Sequence, residues 1–373
     1  MNFDDILMAA IRVGASDVHL KVGTPPVLRV DGNLMFVKEA PALTGDEFKE
    51  LSFSLMNDVQ KERFLKFNEV DLAYDMPKIS RFRINIYQQR GYLAMAVRAL
   101  PFEIRDFNEL NLPPVLEKIS QEERGLVIVT GTTSSGKSTT LAAMIDLINA
   151  TRSKHIISIE DPLEYVHEDK KSFVTQREIG IDTFSFSNAL RAALREDPDV
   201  ILIGEMRDLE TMEIAFGAAE TGHLVLTTLH TLDAQETVNR VLTVFPAHQH
   251  NQVRYQLAQV LRAVVSQRLM PMAGGSGRVP AAEVLIATSR IRDLISDPAR
   301  SSEIRTAIEE GYLHYGMQTF DQCLYDLYKK ELITYEEAMR QATNKDDLAL
   351  RISGVTSGSA SLGRVAQERT TNQ

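Results

Sequence analysis

Gly131-Thr132-Thr133-Ser134-Ser135-Gly136-Lys137-Ser138 fits the pattern G-x-x-x-x-G-K-[ST], and no other stretch limits the fold of this chain so strictly. Such a loop joins a strand to a helix. Its glycines let the backbone curl until successive N–H groups point at one spot before the helix N-terminus, where the dipole also favours an anion. The flanks comply: Leu126 to Val129 is an apolar run, and Leu141, Met144, Ile145 and Ile148 then fall on one helical face. The sequence therefore predicts a phosphate seat made of Gly131, Thr132, Thr133, Ser134, Ser135, Gly136, Lys137, Ser138 and Thr139. Lys137 is expected at the β and γ phosphates of ATP, and Ser138 at Mg²⁺.

Nearly continuous apolar runs recur through the same half of the chain: Leu126 to Val129, Ile156 to Ile159, Val200 to Ile203 and Leu224 to Thr228, separated by helical pattern. Strands of that kind are buried on both faces, which implies a parallel sheet covered by helices and an α/β fold. The C-terminal strand edges of such a sheet converge on one crevice, and three clusters fall there.

The first cluster is Glu160-Asp161-Pro162-Leu163-Glu164, in which Glu160 or Glu164 is expected to order the metal's water or polarise an attacking one. The second opens with Asp197-Pro198-Asp199 and ends in Gly204-Glu205, where an ordinary strand of this type would carry Asp in place of Gly204. Glu205 is a candidate for orienting water and, with Ser138 and Glu160, for the metal. The third ends in His230, whose imidazole could bond the γ-phosphate and relay its loss. Thr227, Thr228 and Thr231 are expected to fix that ring, and His223 to sit neutral inside the sheet. Either acid alone is equally well explained as a helix cap or a solvated turn, and a lone His is more often structural. Their conjunction with the loop favours chemistry.

Residues 1–100 read as a small α+β domain, because amphipathic Phe3 to Val13 and Asp46 to Phe67 alternate with the short runs Val27 to Val30 and Arg81 to Tyr87. Alternation places Arg81 and Arg83 on one face, and Arg90 and Arg98 follow. Surface arginines are usually solvated. A phosphoryl-transfer site nevertheless gains much of its rate from an arginine delivered across a domain or subunit boundary, so Arg83 and Arg98 are the candidates, with Arg81 behind them. Pro101 and Pro113-Pro114 place a linker at 101–115, ahead of a second domain at 116–352. After Met270-Pro271 comes a glycine-rich turn and then mainly helical pattern, and the Ser-, Gly- and Thr-rich tail 353–373 reads as flexible.

Composition narrows the function. A chain of 373 residues suits two or three domains at about 150 residues each, and its net charge of −10 is the wrong sign for wrapping a phosphate backbone, so no nucleic-acid partner is expected. Cys323 is the single cysteine, which leaves neither an intrachain disulfide nor a cysteine-based zinc site. The acidic start Met1-Asn2-Phe3-Asp4-Asp5 and the lack of any apolar run near about 18 residues point to a soluble, cytoplasmic protein.

The order of these motifs resembles the type IV pilus retraction ATPases, the PilT family of the secretion ATPase superfamily. The resemblance rests on the loop, the Glu160 to Glu164 segment, Gly204-Glu205-Met206-Arg207-Asp208 and His223 to His230, in register between Gly131 and His230. It extends to Ala15-Ser16-Asp17-Val18-His19-Leu20, Gly23-Thr24-Pro25-Pro26 and Arg29-Val30-Asp31-Gly32. It implies a PAS-like N-terminal domain, a RecA-like ATPase domain and a homohexameric ring. It further implies work on the cytoplasmic side of an inner-membrane pilus platform protein, and a paralogous retraction ATPase is expected as a further partner. The relatives of pilus assembly and type II secretion usually carry a longer N-terminal region and a tetracysteine zinc module, which favours retraction here. One departure concerns the family's Ala-Ile-Arg-Glu-Gly motif, which appears as Ala307-Ile308-Glu309-Glu310-Gly311. The competing expectations are an assembly or secretion ATPase of the same superfamily, a nucleotide-gated scaffold ring that hardly hydrolyses, and a nucleic-acid translocase.

Overall fold

Alternation along Ser80–Gln89 puts Phe82, Ile84 and Ile86, all fully buried, on one face and Arg81, Arg83 and Asn85 on the other. Strand Asp17–Lys21 alternates in the same way, with Val18 and Leu20 buried. The computed structural model describes residues 2–30, 32–37, 40–76, 79–100, 104–275 and 277–354. Asp31, residues 101–103 of the expected linker and residues 355–373 of the expected flexible tail lie outside the described residues. The chain divides into two compact units, one running to Glu103 and including Glu164–Val166, the other made of the remainder.

In the first unit, strands β1 (Asp17–Lys21), β2 (Thr24–Val30), β3 (Asn33–Phe36), β4 (Glu69–Met76), β5 (Ser80–Gln89) and β6 (Tyr92–Leu100) form an antiparallel sheet in the order β3-β2-β1-β6-β5-β4. Helices α1 (Phe3–Arg12), α2 (Gly45–Ser54) and α3 (Asp58–Phe67) supply Leu7, Phe48 and Phe64 to the core that Phe82, Ile84 and Ile86 share. Each such residue, fully buried, contributes roughly 1.5–3 kcal/mol. The single amphipathic stretch expected at 46–67 is two helices. Asn57 breaks it by capping α3: its Oδ1 accepts from Gln60 N at 2.8 Å while Gln60 Oε1 accepts from Asn57 N at 2.9 Å.

The second unit is built on strands β7 (Gly125–Thr130), β8 (His155–Glu160), β9 (Phe173–Glu178), β10 (Val200–Ile203), β11 (Leu224–Leu229), β12 (Leu261–Pro271) and β13 (Arg278–Ile286), in the order β13-β12-β7-β11-β10-β8-β9. Only β13 runs antiparallel to its neighbour. Every residue of β7, β10 and β11 is buried, as their unbroken apolar runs require. Helices α4 (Val115–Ser120) and α5 (Lys137–Thr151) pack on one face, and α6 (Phe186–Ala193), α7 (Leu209–Glu220), α8 (Ala234–Val244) and α9 (His250–Val260) on the other. The chain then continues through α10 (Ser289–Ser296), α11 (Ile304–Glu310), α12 (Tyr312–Tyr315), α13 (Phe320–Lys329), α14 (Tyr335–Gln341) and α15 (Lys345–Ile352). This is a RecA-like α/β domain preceded by a PAS-like α+β domain.

Two expectations change. Residues 278–286, read as helical, form the edge strand β13. Residues 104–115, read as linker, pack against the second sheet through Phe107, Leu110 and Leu112. Among the described residues no helix is long and apolar enough to cross a membrane.

Candidate active site

The loop after β7 is curled by backbone necessity. Gly131 has φ 142° and lies so close to the Gln267 carbonyl that a Cβ would stand 2.4 Å from it; Gly136, at φ 94°, caps α5 with open space over its Cα. Any side chain at Gly131 would collide. Lys137, nearly buried, donates from Nζ to Gly131 O and Thr132 O, both at 2.9 Å. Thr132, Thr133 and Ser134 are exposed; Ser138 and Thr139 are half-buried on the first turn of α5. Ser135 Oγ is buried and, among the described residues, has no hydrogen-bond partner.

Strand β12 holds the loop from the side. Thr130 Oγ1 donates to Ser266 Oγ at 2.8 Å before the loop, and Gln267 Nε2 donates to Thr140 Oγ1 at 2.8 Å after it. A cleft of about 310 Å³ opens there, lined by Gly136, Thr139, Gln267, Leu269, Leu110 and Arg105 among others. That is within the range of small-molecule sites. Nothing in the sequence marked this cleft, because Arg105 and Leu110 fall in the stretch read as linker.

The acids stand at neighbouring strand ends. Glu160 closes β8 opposite Glu178 of β9, and Gly204, just past β10, packs on it: a Cβ at Gly204 would meet Glu160 Cα at 3.3 Å. A side chain at this place, where an ordinary strand of this type ends in Asp, would be crowded by the β8 backbone. Glu205 follows, and its carboxylate pairs with Arg207 Nε on one oxygen and lies 3.4 Å from His230 Nε2 on the other. Strand β11 runs between β10 and β7 and delivers His230 to the same edge. Glu164 lies in a non-regular exposed stretch beyond the Asp161-Pro162 bond.

The expected threonine cradle around His230 does not exist. Thr228 Oγ1 donates to Gly204 O at 2.6 Å, Thr231 Oγ1 bonds Thr237 Oγ1 at 2.7 Å, and Thr227 Oγ1 is buried without a partner among the described residues. Thr228 is drawn to backbone and Thr231 to helix α8, and the group that faces the imidazole is Glu205. His223 is satisfied as expected, through Nδ1 and Ala218 O at 2.9 Å, but it precedes β11 at the opposite edge instead of lying within the sheet.

Sequence reasoning also missed Glu283. This buried residue of β13 accepts the backbone N–H of Ala234, the first residue of α8, at 2.9 Å. Burial pushes its carboxyl up to about 7; the Ala234 bond opposes the rise, Asp233 adds to it, and Arg305 and Arg268 oppose it.

In the first unit, Arg83 and Arg98 are opposite one another on β5 and β6, and Asp17 of β1 is opposite Arg98 in turn. Arg98 Nε donates to Asp17 Oδ1 at 2.9 Å, and Arg83 lies 3.8 Å from Asp71. Burial raises Asp17, but the bonds from Arg98 and Ser16 outweigh it and hold its carboxyl below the usual range. Arg29, opposite Asp17 on β2, joins the same row, a register no spacing rule could show. Arg81 is paired with Asp75 and mostly buried, and Arg90 sits in the β5–β6 turn with φ 50°.

Among the described residues no group of three or more His, Cys, Asp or Glu is gathered to hold a metal ion. The donors fit a magnesium nucleotide instead: one hydroxyl at Ser138, carboxylates at Glu160 and Glu205, and the rest from phosphate.

Fold and site together define a P-loop ATPase. The sequence profile of the Type II/IV secretion system protein family matches residues 2–310, and the chain belongs to that family. It is similar to the type IV pilus retractation ATPase PilT of Pseudomonas aeruginosa, at 46% identity over 342 residues, which is 92% of this chain and 98% of that one. A twitching motility protein of Neisseria gonorrhoeae is 44% identical over 324 residues, covering 87% and 86%. A crystal structure of the pilus retraction motor PilT with bound ADP matches at a TM-score of 0.86 and 47% identity, over 94% of this chain and 99% of that one.

Proposed function

We propose that this ATPase is the motor of type IV pilus retraction and hence of twitching motility. It works as a homohexameric ring on the cytoplasmic side of an inner-membrane platform protein, with a paralogous ATPase as a further partner. One observation carries the reading: a chain spanning 98% of a retraction ATPase's length keeps the curled loop, with Glu205 and His230 delivered to the same strand edge. The single cysteine argues against the assembly type with its tetracysteine module.

The triphosphate lies on the N–H groups of the loop and the N-terminus of α5, and the nucleoside occupies the adjoining cleft. Lys137 leaves the loop carbonyls for the β and γ phosphates. Ser138, with help from Glu160 and Glu205, would hold Mg²⁺, which when bound would supply neutralisation of phosphate charge. Glu205 orients a water in line with the γ-phosphorus, with Glu164 as the alternative acid; the P–O bond to the β-phosphate breaks as the water oxygen bonds phosphorus, and ADP leaves. Arg83 or Arg98 supplies the further positive charge. His230 reports γ-phosphate state to the ring.

Two measurements test the proposal. Lys137→Ala should abolish phosphate release, and Glu205→Gln should bind ATP while failing to hydrolyse it. A strain lacking the gene should keep its pili and lose twitching; a strain without pili would mark an assembly motor, and wild-type twitching would end the pilus assignment.

A further inference from the structure

Glu205 is held from two sides. One carboxylate oxygen faces Arg207 Nε and the other His230 Nε2, and among the described residues these are the only partners of that carboxylate. The backbone around it is anchored. Gly204 N donates to Ile159 O at 2.8 Å, and Thr228 receives Met206 N at 3.4 Å on its carbonyl while bonding Gly204 O through its hydroxyl. Met206 is fully buried, and Asp208 caps α7 by accepting Thr211 N at 2.8 Å. With Gly204, Met206 and Asp208 all fixed, the freedom left to this stretch lies in the side chains of Glu205 and Arg207. The Arg207 side chain is 74% exposed against 21% for Glu205, so Arg207 is the partner able to swing into solvent.

A carboxylate oxygen that faces a guanidinium is occupied by it, which leaves the carboxylate less free to accept from a water. We infer that Arg207 is a positioning residue that holds Glu205 in a resting arrangement, and that its release frees the carboxylate to orient the attacking water. This rests on Glu205 being the water-orienting acid. An exposed ion pair is weak, so the clamp acts as a brake of a few-fold and not as a lock.

The test is steady-state phosphate release by the full-length protein at saturating ATP, comparing wild type with Arg207→Gln and Arg207→Lys at low and high salt. Arg207→Gln should raise kcat about two- to fivefold at low salt with KM unchanged. Lys should give an intermediate value, and the ratio of variant to wild type should fall toward unity as salt screens the pair. An unchanged or lower kcat, or a ratio indifferent to salt, overturns the clamp. Glu205→Gln measured alongside separates the two assignments. Wild-type turnover in that variant removes Glu205 from catalysis and the clamp with it, whereas an inactive Glu205→Gln beside an unaccelerated Arg207→Gln leaves Glu205 in place and sinks the clamp alone.

Discussion

Arg83 and Arg98 occupy directly opposed positions on β5 and β6, so two guanidinium groups leave the same face of the sheet side by side, each balanced by a carboxylate on its far side, Asp71 and Asp17. Like charges directly opposed on a sheet are unfavourable, and an anion meeting both relieves that repulsion. Loss of whichever arginine is delivered to the phosphates, the arginine finger, should lower turnover at least about a hundredfold, and Lys should substitute poorly for its planar fork. Phosphate release from Arg83→Ala and Arg98→Ala checks this. If both variants match wild type, neither arginine is the finger.

His230 should couple nucleotide state to ring shape, since its imidazole touches the acid assigned to water and not the loop that grips phosphate. In His230→Ala, ATP affinity and ring assembly are expected to stay near normal while retraction is lost, a deficit of about 1–3 kcal/mol in coupling. Retained retraction refutes the role. So does a loss of ATP binding, which would make His230 a binding residue.

Glu283 predicts a pH dependence with a definite sign. Its carboxyl, at about 7 in the folded chain against an ordinary 4.5, favours the protonated form, so the stability it provides is complete below about pH 4.5 and is lost as pH rises through 7. The loss is on the order of 3 kcal/mol. Glu283→Gln keeps an acceptor for Ala234 N without the charge, so its stability should gain on wild type as pH rises from 5 to 8. Denaturant unfolding of both proteins across that range provides the comparison, and a difference that stays flat with pH contradicts the assignment.

What the sequence disclosed follows from how local each constraint is. Gly131 and Gly136 are demanded by their own positive φ, and β7, β10 and β11 by burial on both faces, so both are legible in a short window. Strand β13 is not, because Pro280 and Glu283 interrupt its apolar pattern. The edge position tolerates the proline, and the carboxylate is satisfied by Ala234, forty-nine residues away in sequence. The threonines near His230 misled for the same reason, since adjacency in sequence says nothing of the carbonyl of Gly204 across the sheet. Glu309, where the related motif has Arg, pairs with Arg351 on α15, so this chain makes a charge pair at that position with the sign reversed. The break at Asn57 is written locally, in the capping box it makes with Gln60 three residues on.

Strand β12 fastens the phosphate loop on both flanks, through Ser266 to Thr130 and through Gln267 to Thr140, while the Gln267 carbonyl closes against Gly131. A loop that took shape only around its guest would give up about 1–2 kcal/mol for every residue ordered, and a micromolar complex has only about 8 kcal/mol in all. Here that disorder was already surrendered when the sheet formed. Nucleotide meets a seat cast in advance, its affinity undiminished by loop ordering, and what its arrival must displace is the Lys137 amino group from the loop carbonyls.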